Sequence, residues 1–278
     1  MKTSPLLPIN AQTHATLLSL LERLDNKVLS KAQVIPWSSP IPSFGDLSCS
    51  KIATLGLNPS NREFVDIQGK ELDGKFRRFH TLKSLGLRKW SDARAAHRKM
   101  ILESCSQYFY QNPYDGWFKG LDKIISGTKA SYYNSSIKAC HLDLIPYATA
   151  CKWTELTTQQ RALLLDLAGD TLGLLLKDSP VSLLILNGQT VIDNLQKITG
   201  VNFEKDTISD WTLPRKSGVG VKGFSYRGVI GEVAGVQLNR KVHVLGFNHN
   251  IQSSFGVTTK VKSEIRHWVT TSAEEIFS

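Results

Sequence analysis

The chain has 278 residues, enough for one large domain or two small ones, and 41% of them are hydrophobic, as expected of a protein with a buried core. No run approaches the roughly 18–20 continuous apolar residues of a membrane span, and the first residues do not resemble a signal peptide, so we expect no membrane partner. Lysine and arginine number 34 against 24 acidic residues, a formal charge of +10 that favours a polyanionic partner, most simply nucleic acid.

The cysteines are scattered, and no two of them stand at the spacing of metal ligands. They are Cys49, Cys105, Cys140 and Cys151. We therefore expect no structural zinc and no iron–sulfur cluster. Scattered thiols in a chain of this size are typical of a reduced, cytoplasmic protein.

The first 50 residues predict an N-terminal helix followed by an extended segment. Leucines at helical spacing indicate an amphipathic helix over 11–30, and a proline-rich stretch over 34–48 is irregular. An apolar run over 52–57 then predicts a short buried strand. The loop Asn58-Pro59-Ser60 ends that strand, because proline cannot continue it.

The next segment is strongly basic. From Lys75 to Lys99 there are nine lysine or arginine residues against one acidic residue, with aromatic residues between them. An apolar stripe predicts a helix that ends near Gly86. The segment is either the solvated face of that helix or a surface that follows the phosphates of a nucleic acid, and the aromatic residues favour the second interpretation.

The remaining elements alternate between helices and strands. The patterns predict helices at both ends of 99–125 and over 157–177, 190–199 and 261–277, strands over 136–145, 181–186 and 241–247, and a hairpin-like insertion over 201–240. This order predicts a single α/β domain over 1–278, built on a mostly parallel four-stranded sheet.

Polar residues follow or end each of the four predicted strands: Asn58, Asp143, Asn187 and His249. The carboxyl ends of parallel strands lie at one edge of a sheet, where α/β proteins bind ligands, so these residues form a candidate site. Each also has a simpler interpretation, and Asn58 could be only a polar corner between the strand and the loop. Asn187 could cap the following helix, His249 could belong to a turn, and Asp143 could pair with His141 or with a lysine.

Motifs of other enzyme classes are missing from the sequence. There is no phosphate-binding loop with Gly-Lys-Ser/Thr, no GxSxG and no HExxH. Gly218-Val219-Gly220 has no strand, turn and helix around it, so a dinucleotide site has weak support. A basic α/β enzyme acting on a free nucleotide would need a phosphate loop that the sequence does not contain.

Four segments resemble the uracil-DNA glycosylase superfamily, in particular its mismatch-specific and thymine-DNA glycosylase branch. They are LGLNPS (55–60), RRFHTLKSLGL (77–87), SLLILNGQTVIDNL (182–195) and VHVLGFNHNIQSS (242–254). The resemblance extends over 44–268, with gaps at 100–135 and 201–240. It implies a three-layer α/β/α sandwich and an enzyme that flips a base out of the duplex and hydrolyses its glycosidic bond without a cofactor.

The resemblance also implies roles for particular residues. Asn58 would orient the attacking water, and His249 would donate a hydrogen bond to a carbonyl of the departing base. Other expected substrate contacts are Gly56, Leu57, Pro59, Ser60, Phe64, Asp143 and Asn187, with Phe64 as a stacking platform. Expected DNA contacts are Arg77, Arg78, Lys83, Asn250, Ile251, Ser253 and Ser254. Where the family has Pro-Ser after the histidine, this chain has Asn250-Ile251, so either Ile251 or Phe255 would be the wedge.

The target base is predicted from Asp143, which falls where the superfamily usually has an asparagine that reads a pyrimidine. A carboxylate only accepts hydrogen bonds, so it favours the N4 amine of cytosine over the O4 oxygen of uracil or thymine. A modified cytosine, such as glucosylated hydroxymethylcytosine in phage DNA, and a role in prokaryotic antiviral defence fit this preference. No lysine stands at either motif, which predicts a monofunctional enzyme. The alternatives are a uracil or thymine mismatch glycosylase and a non-catalytic module that binds modified DNA.

Overall fold

The computed structural model describes residues 11–133, 136–215, 218 and 220–278. The α-helices of that part are Ala11–Asp25 (α1), Ala95–Ser106 (α2), Asp115–Ile125 (α3), Thr158–Ala168 (α4), Asp170–Lys177 (α5), Gln189–Thr199 (α6) and Thr259–Phe277 (α7). The strands are Ile52–Gly56 (β1), Ala130–Ser131 (β2), Ile137–Asp143 (β3), Leu183–Asn187 (β4), Glu204–Leu213 (β5), Val221–Val233 (β6) and Val236–Phe247 (β7).

All the strands belong to one mixed sheet in the order β2-β3-β1-β4-β7-β6-β5. The strands from β2 to β7 in that order are parallel, whereas β6 and β5 add to the edge in antiparallel fashion. The α/β class is confirmed, but the prediction of a four-stranded sheet is wrong, since the sheet has seven strands. The four predicted strands form its parallel centre, with the short β2 as a further parallel strand.

The centre of the sheet is buried on both faces. Every residue of β1 and of β4 is buried, and successive side chains point to opposite sides of the sheet. Leu55 and Leu186 join one apolar core, together with residues of α1, α4, α5 and α6. Ile52 and Ile185 join a second core, with residues of α3 and α7. Helices thus cover both faces, an arrangement compatible with a three-layer sandwich.

The strands within 201–240 are part of the sheet and do not form a separate insertion. β5 and β6 pair as an antiparallel hairpin, as predicted, but β6 also pairs along β7. The turn between β6 and β7 contains Ala234 and Gly235, both with positive φ (46° and 82°), which matches the tight turns that suit twisted strands. β7 therefore begins at Val236, five residues before the predicted strand.

Two predicted helices also differ from those observed. The helix expected over 157–177 divides into α4 and α5 at Gly169, although the Gly169 amide still bonds to the carbonyl of Leu165 at 2.9 Å. The helix expected to end near Gly86 is a single 3-10 turn over Lys83–Leu85, closed by Gly86 in the left-handed conformation (φ 66°). None of the described helices is both long and apolar enough to cross a membrane.

Candidate functional site

The sheet register brings the predicted strand ends to one edge. Gly56 of β1 lies opposite Asp143 of β3, and Asn187 of β4 lies opposite Phe247 of β7. Since these strands and the β1–β4 pair are all parallel, their carboxyl ends share the same edge. The backbone therefore places the predicted polar residues as the sequence suggested.

The amide of Asn58 is held in one orientation. Its Nδ2 donates to Thr149 Oγ1 at 2.9 Å, to the Tyr147 carbonyl at 3.3 Å and to the Pro59 carbonyl at 3.2 Å. Its Oδ1 accepts no hydrogen bond from the described part of the chain. All the donors of the amide are thus used by the protein, and the oxygen remains able to hold a water molecule.

The residues around Asn58 shape the loop. Leu57 is half-buried against the core, and Pro59 is buried. Ser60 is exposed, and its hydroxyl accepts from the Arg62 amide at 3.2 Å, which caps the 3-10 helix over 61–63. These residues shape the loop that holds Asn58, and the Ser60 hydroxyl is used in the cap of the following turn.

Asp143 lies against the backbone of β1. It is 7% exposed, and a Cβ atom placed on Gly56 would stand 2.3 Å from its Oδ1. The Nε2 of His141 lies 3.4 Å from the same oxygen, so the pairing with His141 that the sequence left open is present. Oδ2 accepts no hydrogen bond within the described ranges. Asp143 is thus a nearly buried carboxyl group with one oxygen beside His141 and the other without a hydrogen bond from the described residues.

A second buried carboxyl, Glu63, was not predicted from the sequence. It is 3% exposed, accepts a hydrogen bond from the Tyr108 hydroxyl at 2.9 Å, and lies 3.9 Å from the Arg78 guanidinium. Burial raises the pKa of Glu63 to about 7, with a further increase from the charge of Asp143 and an opposing effect of Arg78. In the sequence, its only signal was that it closely follows the Asn58-Pro59-Ser60 loop.

Phe64 lies inside the protein and not in an open pocket. Its ring is 1% exposed, with its centroid 6.2 Å from that of Trp37 and 5.9 Å from that of Phe79. A flipped base needs a free aromatic face, which this placement does not offer. Half-buried Trp117 is the better placed aromatic residue, because its ring centroid is 5.0 Å from that of His141.

The side chain of Asn187 forms two hydrogen bonds that hold the loop after β7 in position. Its Nδ2 donates to Gln252 Oε1 at 2.6 Å, and its Oδ1 accepts from the Ile251 amide at 3.0 Å. Gln252 in turn donates to the Trp117 carbonyl at 3.1 Å. Asn187 does not cap α6, whose N-cap is Gly188. Both ends of its amide are used by the protein, which leaves it a supporting residue.

His249 is buried, and its Nε2 is 2.8 Å from the carbonyl of Trp211 on β5. A carbonyl oxygen only accepts, so Nε2 carries the proton of this hydrogen bond. Burial lowers the pKa of His249, as does nearby Arg215, although the bond to Trp211 opposes the change. The neutral ring therefore offers a lone pair at Nδ1. Within the described ranges, no hydrogen bond joins His249 to Asn58.

The loop after His249 exposes one aromatic residue. The Oδ1 of Asn250 accepts from the amides of Gln252 and Ser253 at 3.0 and 3.1 Å, which tightens the loop. Phe255 is 82% exposed, and Arg215 donates to its carbonyl at 3.2 Å. Ser253 is exposed and Ser254 half-buried. Of the two expected wedges, Ile251 is only 5% exposed, which makes Phe255 the accessible one.

The predicted basic contacts have different environments. Arg78 is engaged inside the protein, donating at 2.7 Å to the carbonyls of Asn112 and Arg62. Arg77 and Lys75 line a cleft of about 470 Å³ beside α2, and Lys83 is exposed on its 3-10 turn. Arg77 and Lys83 therefore remain candidates for phosphate contacts, whereas Arg78 supports the loop around Glu63.

Two further observations concern metals and relatives. Among the described residues, no group of three histidine, cysteine, aspartate or glutamate side chains could hold a metal ion. No protein-family model and no curated protein sequence matches this chain.

Proposed function

We propose that the protein is a monofunctional DNA glycosylase that removes a modified cytosine and leaves an abasic site. The observation that carries the proposal is that Asn58 and Asp143, both at the carboxyl edge of the sheet, each have an oxygen that no described donor occupies. Asn58 presents an amide oxygen that no described donor occupies, and Asp143, next to the same loop, presents a carboxylate oxygen. The first is suited to holding water and the second to accepting from an amine.

The chemistry of hydrolysis fits this pair. Asn58 Oδ1 can accept from a water molecule and orient it towards the sugar carbon as the base departs. The bond between the sugar carbon and the base nitrogen breaks as the water oxygen bonds to that carbon, and the base leaves with the bonding electron pair. An amide cannot take the proton that the water loses, so that proton passes to the departing base or to solvent, and the reaction relies on positive charge developing on the sugar. The amide orientation is essential, because an amide turned by 180° would place its oxygen against the Tyr147 carbonyl.

The part expected of His249 is constrained by its hydrogen bond to Trp211. The neutral ring has its proton at Nε2, where the Trp211 carbonyl holds it, and can accept but not donate at Nδ1. Donation to a base carbonyl requires release of Trp211 or uptake of a second proton, which the lowered pKa disfavours. We therefore assign the larger share of catalysis to Asn58.

DNA binding is attributed to the loop tip and the basic segment. Exposed Phe255 can fill the space that a flipped nucleotide leaves in the stack, and Arg215 lies 5.4 Å from the centre of its ring. Flipping costs a few kcal/mol, which an apolar wedge and phosphate contacts offset. Arg77 and Lys83, in the basic segment from Lys75 to Lys99, are the proposed phosphate contacts.

The test is release of a base from defined duplexes. Protein is incubated with DNA containing glucosylated hydroxymethylcytosine, hydroxymethylcytosine, cytosine or uracil, and alkali then reveals abasic sites by strand cleavage. We expect cleavage at the modified cytosine, a loss of about 100-fold or more in Asn58→Ala, and unchanged DNA binding. Asn194→Ala on α6 is the matched control.

Three outcomes contradict the proposal. Cleavage at uracil alone would identify a mismatch-repair type of glycosylase. Tight binding of modified DNA without abasic sites would identify a non-catalytic module. A parallel loss of DNA binding and base release in Asn58→Ala would show that the asparagine is structural.

A further inference from the structure

A line of four buried polar side chains leads from the core to the candidate site. The Tyr132 hydroxyl lies 2.5 Å from Thr54 Oγ1, which lies 2.7 Å from His141 Nδ1. His141 Nε2 in turn lies 3.4 Å from Asp143 Oδ1. None of the four residues is more than 7% exposed. We call Tyr132, Thr54 and His141 the relay.

When the imidazole is neutral, the negative charge of Asp143 favours one arrangement of the hydrogens of the relay. A ring nitrogen that pointed a lone pair at a carboxylate oxygen 3.4 Å away would be repelled by it, so we place the proton of the neutral ring on Nε2. Nδ1 of His141 is then an acceptor, and the Thr54 hydroxyl donates to it. Thr54 has a single proton, so it must accept from Tyr132. Burial holds the pKa of Tyr132 well above its usual value, which keeps this hydroxyl a donor.

The imidazole of His141 cannot easily turn away from Asp143. Its ring lies among three aromatic rings, with centroids 5.4 Å (Phe44), 5.0 Å (Trp117) and 5.4 Å (Phe118) away. Its backbone also exchanges two hydrogen bonds with Phe44, at 2.8 and 2.9 Å. These contacts hold Nε2 beside Asp143, 3.4 Å from its Oδ1.

We propose that the relay positions the side chain at 143 and decides which of its atoms reads the base. This proposal rests on the proposed function for the identity of the ligand. With aspartate, His141 holds Oδ1, and Oδ2 is presented as an acceptor for an exocyclic amine of the cytosine type. With asparagine, the same Nε2 proton selects the amide oxygen, and the amide NH₂ turns outward as a donor for O4 of uracil. Tyr132, Thr54 and His141 are positioning residues and do not touch the reacting atoms.

The first experiment measures the relay without any DNA. Nitrogen-15 NMR of labelled protein reports the tautomer of His141, whose signal is identified by its loss in His141→Gln. We expect the neutral Nε2–H form in the wild type and in Thr54→Ser, and loss of this single form in Thr54→Val. An Nδ1–H tautomer in the wild type overturns the inference, whether or not the protein releases a base from DNA.

The second experiment measures specificity through the ratio of kcat/KM on uracil DNA to that on modified-cytosine DNA. We expect Asp143→Asn to raise the ratio about tenfold or more, and a second change, Thr54→Val, to abolish most of that increase. Thr54→Ser in place of valine should preserve it. Thr54→Val alone should raise KM more than it lowers kcat, since Asn58 is untouched.

The outcomes of the two experiments separate the two proposals. If Asp143→Asn has the same ratio of kcat/KM values whether residue 54 is threonine or valine, the relay does not orient residue 143. If no variant releases any base, the proposed function fails, and the tautomer measurement still decides whether the relay has the inferred direction.

Discussion

Replacing Gly56 with alanine tests the position of Asp143 directly. The added Cβ would lie 2.3 Å from Asp143 Oδ1 and 2.9 Å from His141 Nε2, both closer than heavy atoms of neighbouring residues can approach. His141 is held by three aromatic rings, so the carboxylate must move outward. The change therefore breaks the contact between His141 and Asp143 while every polar group remains in the protein.

The expected loss of stability is that caused by inserting one methyl group into a well-packed site. Such overpacking costs about 1–3 kcal/mol. For a domain of this size, each kcal/mol lowers Tm by about 2–4 °C, so Gly56→Ala should melt about 2–12 °C below the wild type. Base release from modified-cytosine DNA should fall by more than the loss of folded protein explains, because the carboxylate that reads the base is displaced.

The assay is thermal unfolding beside base release, with Gly116→Ala as the matched control. A Cβ on Gly116, in the first turn of α3, meets no atom within 4 Å, and alanine is favoured over glycine in a helix by about 1 kcal/mol. The control should therefore match or exceed the stability of the wild type. If Gly56→Ala unfolds at the same temperature as the control and releases base normally, Asp143 does not lie over β1 and our account of the site is wrong.

Three further predictions concern other parts of the site. The pKa of Glu63 is raised from 4.5 to about 7, so the folded state binds the proton more tightly than the unfolded state does, and the free energy of unfolding falls as pH rises through that interval. In urea unfolding, Glu63→Gln should therefore have the same free energy of unfolding as the wild type near pH 4. At pH 8 it should be more stable by up to about 3 kcal/mol. A constant difference between the two pH values would refute the raised pKa. Phe255→Ala should weaken binding of modified duplex about tenfold or more, as measured by fluorescence anisotropy, whereas Phe277→Ala, at another exposed phenylalanine, should not. Asn58→Asp should destabilise the fold by about 1–2 kcal/mol in the same unfolding assay at neutral pH, because it replaces the donor to the Tyr147 carbonyl with an acceptor. Unchanged stability would contradict the assigned orientation of the Asn58 amide.

The elements that sequence reasoning located well are those with strong local signals. β1 and β4 are short apolar runs that are buried along their whole length, and the predicted parts of β3 and β7 end in similarly buried residues. The capping box of α4, in which Thr157 accepts from the Gln160 amide at 3.2 Å, and the left-handed Gly200 that ends α6 are equally local. Because the central strands proved parallel, their polar ends had to meet at one edge.

The elements that sequence reasoning missed depend on contacts between distant residues. The joining of β5 and β6 to the sheet is decided by pairing along β7, which no local pattern reports. Phe64 and Glu63 are neighbours in the chain, yet the first is covered by Trp37 and Phe79 and the second is bound by Tyr108, 45 residues away. Burial and partners of this kind follow from the packing of the whole domain.

The sequence by itself determined which residues end the central strands, since those strands are marked by local apolar runs and the alternation of helices and strands predicts that they are parallel. Only the tertiary structure decided what each of them does there. It turned the amide of Asn58 so that its oxygen is available, committed both ends of the Asn187 amide to the following loop, and engaged the Nε2 proton of His249 with Trp211. The physical reason is that a polar side chain acts through the atoms left over after its buried partners are satisfied, and those partners come from distant parts of the chain.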